Sequence, residues 1–225
     1  MAANAVVGID EVGRGCWAGP LVASAVLLDK PIEGLRDSKK LSKKRREVLA
    51  EKIKYEAKAY GVGWVNADEV DKMGLSKAVQ TAMLQAIQQL NKVTTDYDDI
   101  IIDGNINYFL NRNGERLDLT PSAKGTLQQR ENIVDGVRSN LSPRVRAVVG
   151  ADAIYAEVSA ASILAKVERD AYMTELAESY PGYGFEKHVG YGTAAHVAAL
   201  AKLGPIRGIH RYSYAPIKKL LDPVS

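Results

Sequence analysis

Three aspartates sit at or just past the ends of short apolar runs. Asp10 follows residues 5–9, Asp103 follows Ile100-Ile101-Ile102, and Asp152 lies just beyond residues 145–149. Ligand sites in α/β sheets gather at strand ends and in the loops that follow them. If the three strands are neighbours, three carboxylates meet, and clustered carboxylates repel one another unless something positive sits between them. A hard divalent cation supplies that charge and prefers oxygen ligands. A pair of such ions can activate a water and stabilise the leaving oxygen of a phosphodiester. Glu11 adds a fourth acid, but adjacent strand residues point to opposite faces. It joins Asp10 in one site only if it has left the strand, as the Gly13-Arg14-Gly15 that follows suggests. Acids also open ordinary loops, and position alone does not choose between the two readings.

The elements that must place these acids alternate along the chain. Residues 5–9 and 21–28 read as two strands joined by a short gap, hence an antiparallel pair. Residues 42–58 read as a helix capped by Ser42, with Leu49, Ile53 and Ala57 at four-residue spacing. Tyr60, Val62 and Trp64 alternate with glycines and suggest a third strand. Leu75, Val79, Met83, Ile87 and Leu90 mark an amphipathic helix. Two further short buried strands end near Asp103 and Asp152. A long helix rich in small residues runs over 158–179 and stops at Pro181-Gly182. From Gly192 to the end, one short helix and a basic tail are expected. Residues 105–143 form a long excursion whose middle, 125–138, reads as helical. The pattern is a mixed α/β fold.

The chain has 225 residues, 46% of them hydrophobic and 25% charged, the balance of a globular protein with a substantial core. With Cys16 as the one cysteine, no disulfide forms within the chain, and a reducing, cytoplasmic setting is expected. A net charge of +3 permits nucleic-acid binding without requiring it. No apolar run reaches the roughly 18–20 residues of a membrane span, and the first residues lack a signal peptide's pattern. No membrane association is expected.

Several blocks, in order, carry a resemblance. They are Gly8-Ile-Asp-Glu-Val-Gly-Arg-Gly15, Asp37-Ser-Lys-Lys-Leu-Ser42, Ile102-Asp-Gly-Asn105 and Val158-Ser-Ala-Ala-Ser-Ile-Leu-Ala-Lys166. Tyr183-Gly-Phe185, Gly190-Tyr-Gly-Thr193 and His210-Arg211 follow. Together they resemble ribonuclease HII, with the C-terminal part closest to the bacterial form. The resemblance implies an RNase H-like α/β fold: a central five-stranded mixed sheet flanked by helices, with a small helical C-terminal extension. It divides the chain into a catalytic domain over 1–180 and a substrate-contacting extension over 181–225. It implies Asp10, Glu11, Asp103 and Asp152 as catalytic and metal-binding residues, with Mg²⁺ as cofactor and Mn²⁺ as substitute. It implies cleavage of the RNA strand of RNA–DNA hybrids and nicking 5′ of ribonucleotides embedded in duplex DNA. Products would carry 3′-hydroxyl and 5′-phosphate ends, and the protein is expected to act as a monomer.

The same resemblance assigns substrate contacts. Gly13, Arg14 and Gly15 would read the ribose 2′-hydroxyl, since backbone approaches a sugar closely only where side chains are absent. Tyr191 would pack on the deoxyribose after the ribonucleotide and so sense the RNA-to-DNA junction. Ser38, Lys39 and Lys40 would lie near phosphates, whereas Lys43 onward reads as a solvated helix face. Lys166 and Arg169 are read as near substrate. His188, His196 and His210 lack the paired spacing of a zinc site and read as structural or phosphate-proximal.

Two departures stand out. Gly150 and Val189 occupy positions where the family usually has lysine; the loss at Val189 is expected to weaken phosphate binding, and neither change removes a metal ligand. The tail over 212–225 holds no convincing sliding-clamp peptide. Two other functions compete: a non-catalytic hybrid-binding protein, and a different RNase H-like phosphoryl-transfer enzyme such as a recombinase. Retention of all four acids argues against the first. The second leaves the ribose-reading loop without a use.

Overall fold

Val6–Val12 (β1), Leu21–Leu27 (β2), Ala59–Val65 (β3), Asp99–Asp103 (β4) and Arg144–Val148 (β5) form one mixed sheet in the order β3-β2-β1-β4-β5. This is a computed structural model, and it describes residues 4–35, 41–110, 114, 115, 117, 119 and 143–221. β1 pairs antiparallel with β2, and β2 antiparallel with β3. β1 and β4, then β4 and β5, are parallel. The parallel strands β1, β4 and β5 therefore end at the same edge, where Asp10, Asp103 and the approach to Asp152 lie.

Period-two alternation divides the sheet's two faces. Val7, Ile9, Ala23, Ala25, Ile100 and Ile102 pack with Val79, Met83, Ile87 and Leu90 of the helix Leu75–Leu90 (α3). Each large side chain buried there contributes about 1.5–3 kcal/mol. Val26 and Val62 face the other way, against Lys43–Glu56 (α1) and the 24-residue helix Ala156–Ser179 (α4). Small residues let α4 lie close: a Cβ on Gly8 would stand 2.2 Å from the backbone of Glu157. That approach brings α4 over Asp10.

The helix over 42–58 is found as α1, capped by the Ser42 side chain accepting from the Arg45 amide. Three expectations need correction. β5 is a half-exposed edge strand, not a buried one, because among the described residues nothing pairs beyond it in the sheet. The small-residue helix begins two residues before Val158, at Ala156. From Gly192 on, the chain holds two helices, Ala194–Leu203 (α6) and Ala215–Leu221 (α7), rather than one, and a short helix Phe185–His188 (α5) precedes them. A further helix, Ala67–Met73 (α2), was not anticipated, although its Asn66/Glu69 capping box is a legible start signal.

The segment after Pro181 is held by its own apolar cluster of Tyr183, Phe185, Leu200 and Ile217 with Ala18 and Met173. At the start of the long excursion, Tyr108 and Phe109 are buried in the α3-side core. The helix expected over 125–138 lies outside the described residues. Among the described residues no helix is long and apolar enough to cross a membrane.

Candidate active site

The parallel ladder between β1 and β4 closes with Ile9 opposite Ile102. The next residues are Asp10 and Asp103, so two carboxylates leave neighbouring strands side by side. Both belong to the face covered by α4, since Gly8 and Ile101, two residues earlier, pack against its N-terminal turn. Asp10 takes a hydrogen bond from Ser162 on α4 and another, at 2.8 Å, from the Glu11 amide. Burial, then the charges of Glu11 and Asp103, push its carboxyl from 3.8 up to about 7 against the pull of those bonds. Ser24, paired with Asp10 across the ladder, has a buried hydroxyl with no hydrogen-bond partner.

Glu11 has not left the strand, contrary to the expectation. β1 continues through Val12, with Glu11 opposite Ala23, because β2 extends far enough to pair with it. Asp10 and Glu11 consequently face opposite sides of the same strand tip. They still act as one electrostatic group, because Asp103 raises the pKa of both. Glu11 Oε1 accepts a 3.0 Å hydrogen bond from Arg14 Nη1. Its Oε2 is buried without a partner. Burial holds the carboxyl above its usual range despite Arg14. Tyr108, which sequence reasoning missed, lies close enough for its titration to feel both Glu11 and Arg14.

Asp103 accepts a 2.8 Å hydrogen bond from the Ala151 amide, tying β4 to the short 3-10 turn Ala151–Ala153. Asp152 sits in that turn and is buried. The fold thus charge-couples Asp10, Glu11 and Asp103 and sets Asp152 one residue from a group bonded to Asp103. The donors are all carboxylate oxygens, one is buried without a partner, and burial, with the charge of Asp103, raises the pKa values of Asp10 and Glu11. These features suit a hard divalent cation. Among the described residues no set of three or more His, Cys, Asp or Glu side chains already stands around one centre.

Gly13 and Gly15 have different reasons to be glycine. Gly13 is buried with φ +91°, and a Cβ there would stand 2.5 Å from Arg169 Nε. Gly15 is exposed with nothing within 4 Å of a Cβ, so its backbone is open to a ligand. The loop is held from behind. Arg211 Nη1 and the Tyr214 hydroxyl donate to the Arg14 carbonyl at 3.1 and 2.6 Å. Arg169, read as near substrate, is wholly buried instead. Its guanidinium donates to the carbonyls of Pro20 (2.8 Å), Val189 (2.9 Å) and Ala18 (3.1 Å). Lys166 is paired with Asp170 at 2.7 Å.

Tyr191 lies beside this loop, 41% exposed, with its hydroxyl hydrogen-bonded to Cys16. The two loops meet through glycines: a Cβ on Gly190 would stand 2.3 Å from the Ala18 carbonyl, and one on Gly192 would stand 2.1 Å from the Trp17 ring. Trp17 was missed in the sequence, where it carries no signal beyond its place after Cys16. The three histidines are buried and hydrogen-bonded within the C-terminal segment, which bears out a structural reading. Ser38, Lys39 and Lys40 lie outside the described residues.

Comparison with known proteins gives the family and the fold. Residues 7–217 match the family model "Ribonuclease HII". The ribonuclease HII of Hyphomonas neptunium is 43% identical over 220 residues, 97% of each chain. The ribonuclease H2 of Pyrococcus horikoshii superposes with a TM-score of 0.71 at 25% identity, covering 97% of this chain and 98% of that one. A Bst-RNase HIII in complex with Mn²⁺ gives 0.69 at 22% identity over 99% of this chain and 71% of its own, a likeness of fold alone. The chain accordingly belongs to the ribonuclease HII family and is a metal-dependent endoribonuclease of the ribonuclease H type with the RNase H-like fold.

Proposed function

We propose that the protein hydrolyses the RNA strand of RNA–DNA hybrids and nicks duplex DNA on the 5′ side of embedded ribonucleotides. Water adds to the phosphorus, the bond to the preceding 3′ oxygen breaks, and the products carry 3′-hydroxyl and 5′-phosphate ends. The observation that carries the reading is the group of charge-coupled acids, Asp10, Glu11 and Asp103, at one sheet edge of a ribonuclease HII chain.

Asp10, Glu11, Asp103 and Asp152 are the proposed ligands of Mg²⁺, or of Mn²⁺, the ion named for the Bst-RNase HIII complex. When bound, such ions activate water and stabilise the leaving oxygen. Asp10 holds the central place in this reading, as the carboxyl that feels the charges of both Glu11 and Asp103. Ser162 and the Glu11 amide orient its carboxylate. Arg14 orients Glu11. The Gly13-Arg14-Gly15 backbone reads the 2′-hydroxyl, and the exposed ring of Tyr191 packs on the following deoxyribose, where a 2′-hydroxyl would crowd it. Ser38, Lys39 and Lys40 contact phosphates. Residues 1–180 form the catalytic part and 181–225 the substrate-contacting extension. The protein works as a monomer in the cytoplasm on RNA–DNA hybrids and ribonucleotide-containing duplex DNA.

The test is a duplex with one ribonucleotide, incubated with Mg²⁺ or Mn²⁺ and either wild type or Asp10→Asn. Wild type cuts 5′ of the ribonucleotide and leaves an all-DNA duplex intact, while the variant loses at least about a thousandfold in rate, roughly 4 kcal/mol of barrier. Equal cleavage by both proteins defeats the assignment.

A further inference from the structure

Three histidine rings lie buried behind Tyr191, and hydrogen-bonding rules fix the proton on each. A backbone N–H can only donate, so a ring nitrogen facing one carries no proton; a nitrogen facing a carbonyl must carry one. The Ile206 amide donates to His210 Nδ1 at 2.9 Å, leaving the His210 proton on Nε2. That Nε2 lies 3.2 Å from His196 Nε2, which must accept. The His196 proton is then on Nδ1, where it meets the Tyr191 carbonyl at 2.9 Å. Two independent constraints on His196, one from each end, give the same tautomer. His188 accepts from the Gly190 amide at 3.2 Å and donates to the Tyr183 carbonyl at 2.8 Å. Its ring stacks on His196 with centroids 4.3 Å apart.

We propose that His188, His196 and His210 form a proton-ordered, uncharged relay that positions Tyr191, making His196 a specificity-determining positioning residue. The amide of Gly190 and the carbonyl of Tyr191, on either side of the tyrosine, are each held by a histidine ring. Other bonds anchor the backbone nearby: the Val189 carbonyl to Arg169, the Gly190 carbonyl to the amides of Trp17 and Ala18, and the Tyr191 amide to the His188 carbonyl, while the Tyr191 carbonyl also accepts from the Thr193 amide at 2.8 Å and so shares its two acceptor sites between Thr193 and His196. The ring of Tyr191 is thereby aimed at the loop that follows Gly13. Burial favours uncharged rings in His196 and His210, whose pKa values fall from 6.5 to about 4. Zinc is not a competing occupant: both His188 nitrogens are taken by backbone groups, and among the described residues no set of three or more His, Cys, Asp or Glu side chains stands around one centre.

The inference rests on the reading of Tyr191 as the junction sensor, and its test separates the two. The readout is the ratio of kcat/KM on a single embedded ribonucleotide to that on a uniform RNA–DNA hybrid. Tyr191→Ala and His196→Leu are each expected to lower this ratio about tenfold, the upper range for one lost hydrogen bond. The double variant should fall no further. His196→Asn, whose amide can replace Nδ1–H toward the Tyr191 carbonyl, should restore most of the ratio. If Tyr191→Ala lowers the ratio and a folded His196→Leu does not, the relay proposal fails and the junction reading stands. If Tyr191→Ala leaves the ratio unchanged, the junction reading fails and takes the relay's role with it. A second measurement covers an unfolded variant: ¹⁵N NMR of the wild type at pH 7 should show His188 and His210 protonated at Nε2 and His196 at Nδ1. A His196 protonated at Nε2, or charged, overturns the proposal.

Discussion

Asp10→Asn should abolish cleavage and yet make the metal-free protein more stable, by an amount that grows with pH. The Asp10 carboxyl is raised from 3.8 to about 7 in the fold. The folded state therefore holds this proton more tightly than the unfolded chain does. The group's contribution to stability is best below pH 3.8, declines as pH rises toward 7, and is level above that. At about 1.4 kcal/mol per pH unit, the full penalty is about 4 kcal/mol at pH 8.5 and under half of that at pH 5. Water still reaches part of the carboxylate, so roughly 2–4 kcal/mol at pH 8.5 is the working figure. Asparagine keeps the acceptor that meets the Glu11 amide and removes the charge. For a chain of this size the variant's melting temperature should exceed wild type by about 5–15 °C at pH 8.5, and by clearly less at pH 5. Saturating Mg²⁺ should close much of that gap by raising wild type alone, since binding to the native state stabilises it. Thermal melts at both pH values, with EDTA and with Mg²⁺, decide the matter. A variant that is less stable than wild type at pH 8.5, or whose advantage is the same at both pH values, refutes the picture of crowded carboxylates awaiting a cation.

Gly13→Ala should cost about 1–3 kcal/mol in a urea melt, because the site has φ +91° and lies against Arg169. Gly15→Ala should leave stability within about 0.5 kcal/mol yet lower kcat/KM on a ribonucleotide substrate. Equal destabilisation by the two changes would contradict the division of roles. Val189 is the one described non-glycine residue with positive φ, at 43°. Val189→Gly should stabilise by about 1 kcal/mol through released strain, and a lower melting temperature would show that the strain is not there. In the Asp10→Asn background, where the most strongly raised of the opposing carboxylates is gone, stability should fall as pH drops from 6.5 toward 4. The depressed pKa values of His196 and His210, about 4, make their stabilisation complete above 6.5 and lost below it. A urea midpoint flat from pH 7 to pH 4.5 would contradict the buried neutral rings.

Much of this protein is written in local pattern. Apolar runs of period two or of four-residue spacing, bounded by Ser42 or Pro181-Gly182, give strands and helices, because burying an apolar face requires that spacing whatever the partner. The same runs mark Asp10, Asp103 and Asp152 as acids at strand ends. Other features depended on partners distant in the chain. Glu11 stays in the ladder because β2 extends to pair with it, which no residue near Glu11 announces. β5 lies half open because it is an edge, a property of strand order and not of its own residues. Arg169 reads as a surface cation until α4 places it under the carbonyls of Ala18, Pro20 and Val189. The histidines, scattered over 23 residues from His188 to His210, become one stacked and hydrogen-bonded set only when α6 and the segment after it fold back. Sequence determines which groups are available and where the backbone can turn. Tertiary packing decides which of them share a dielectric and a hydrogen bond, since both depend on separation in space.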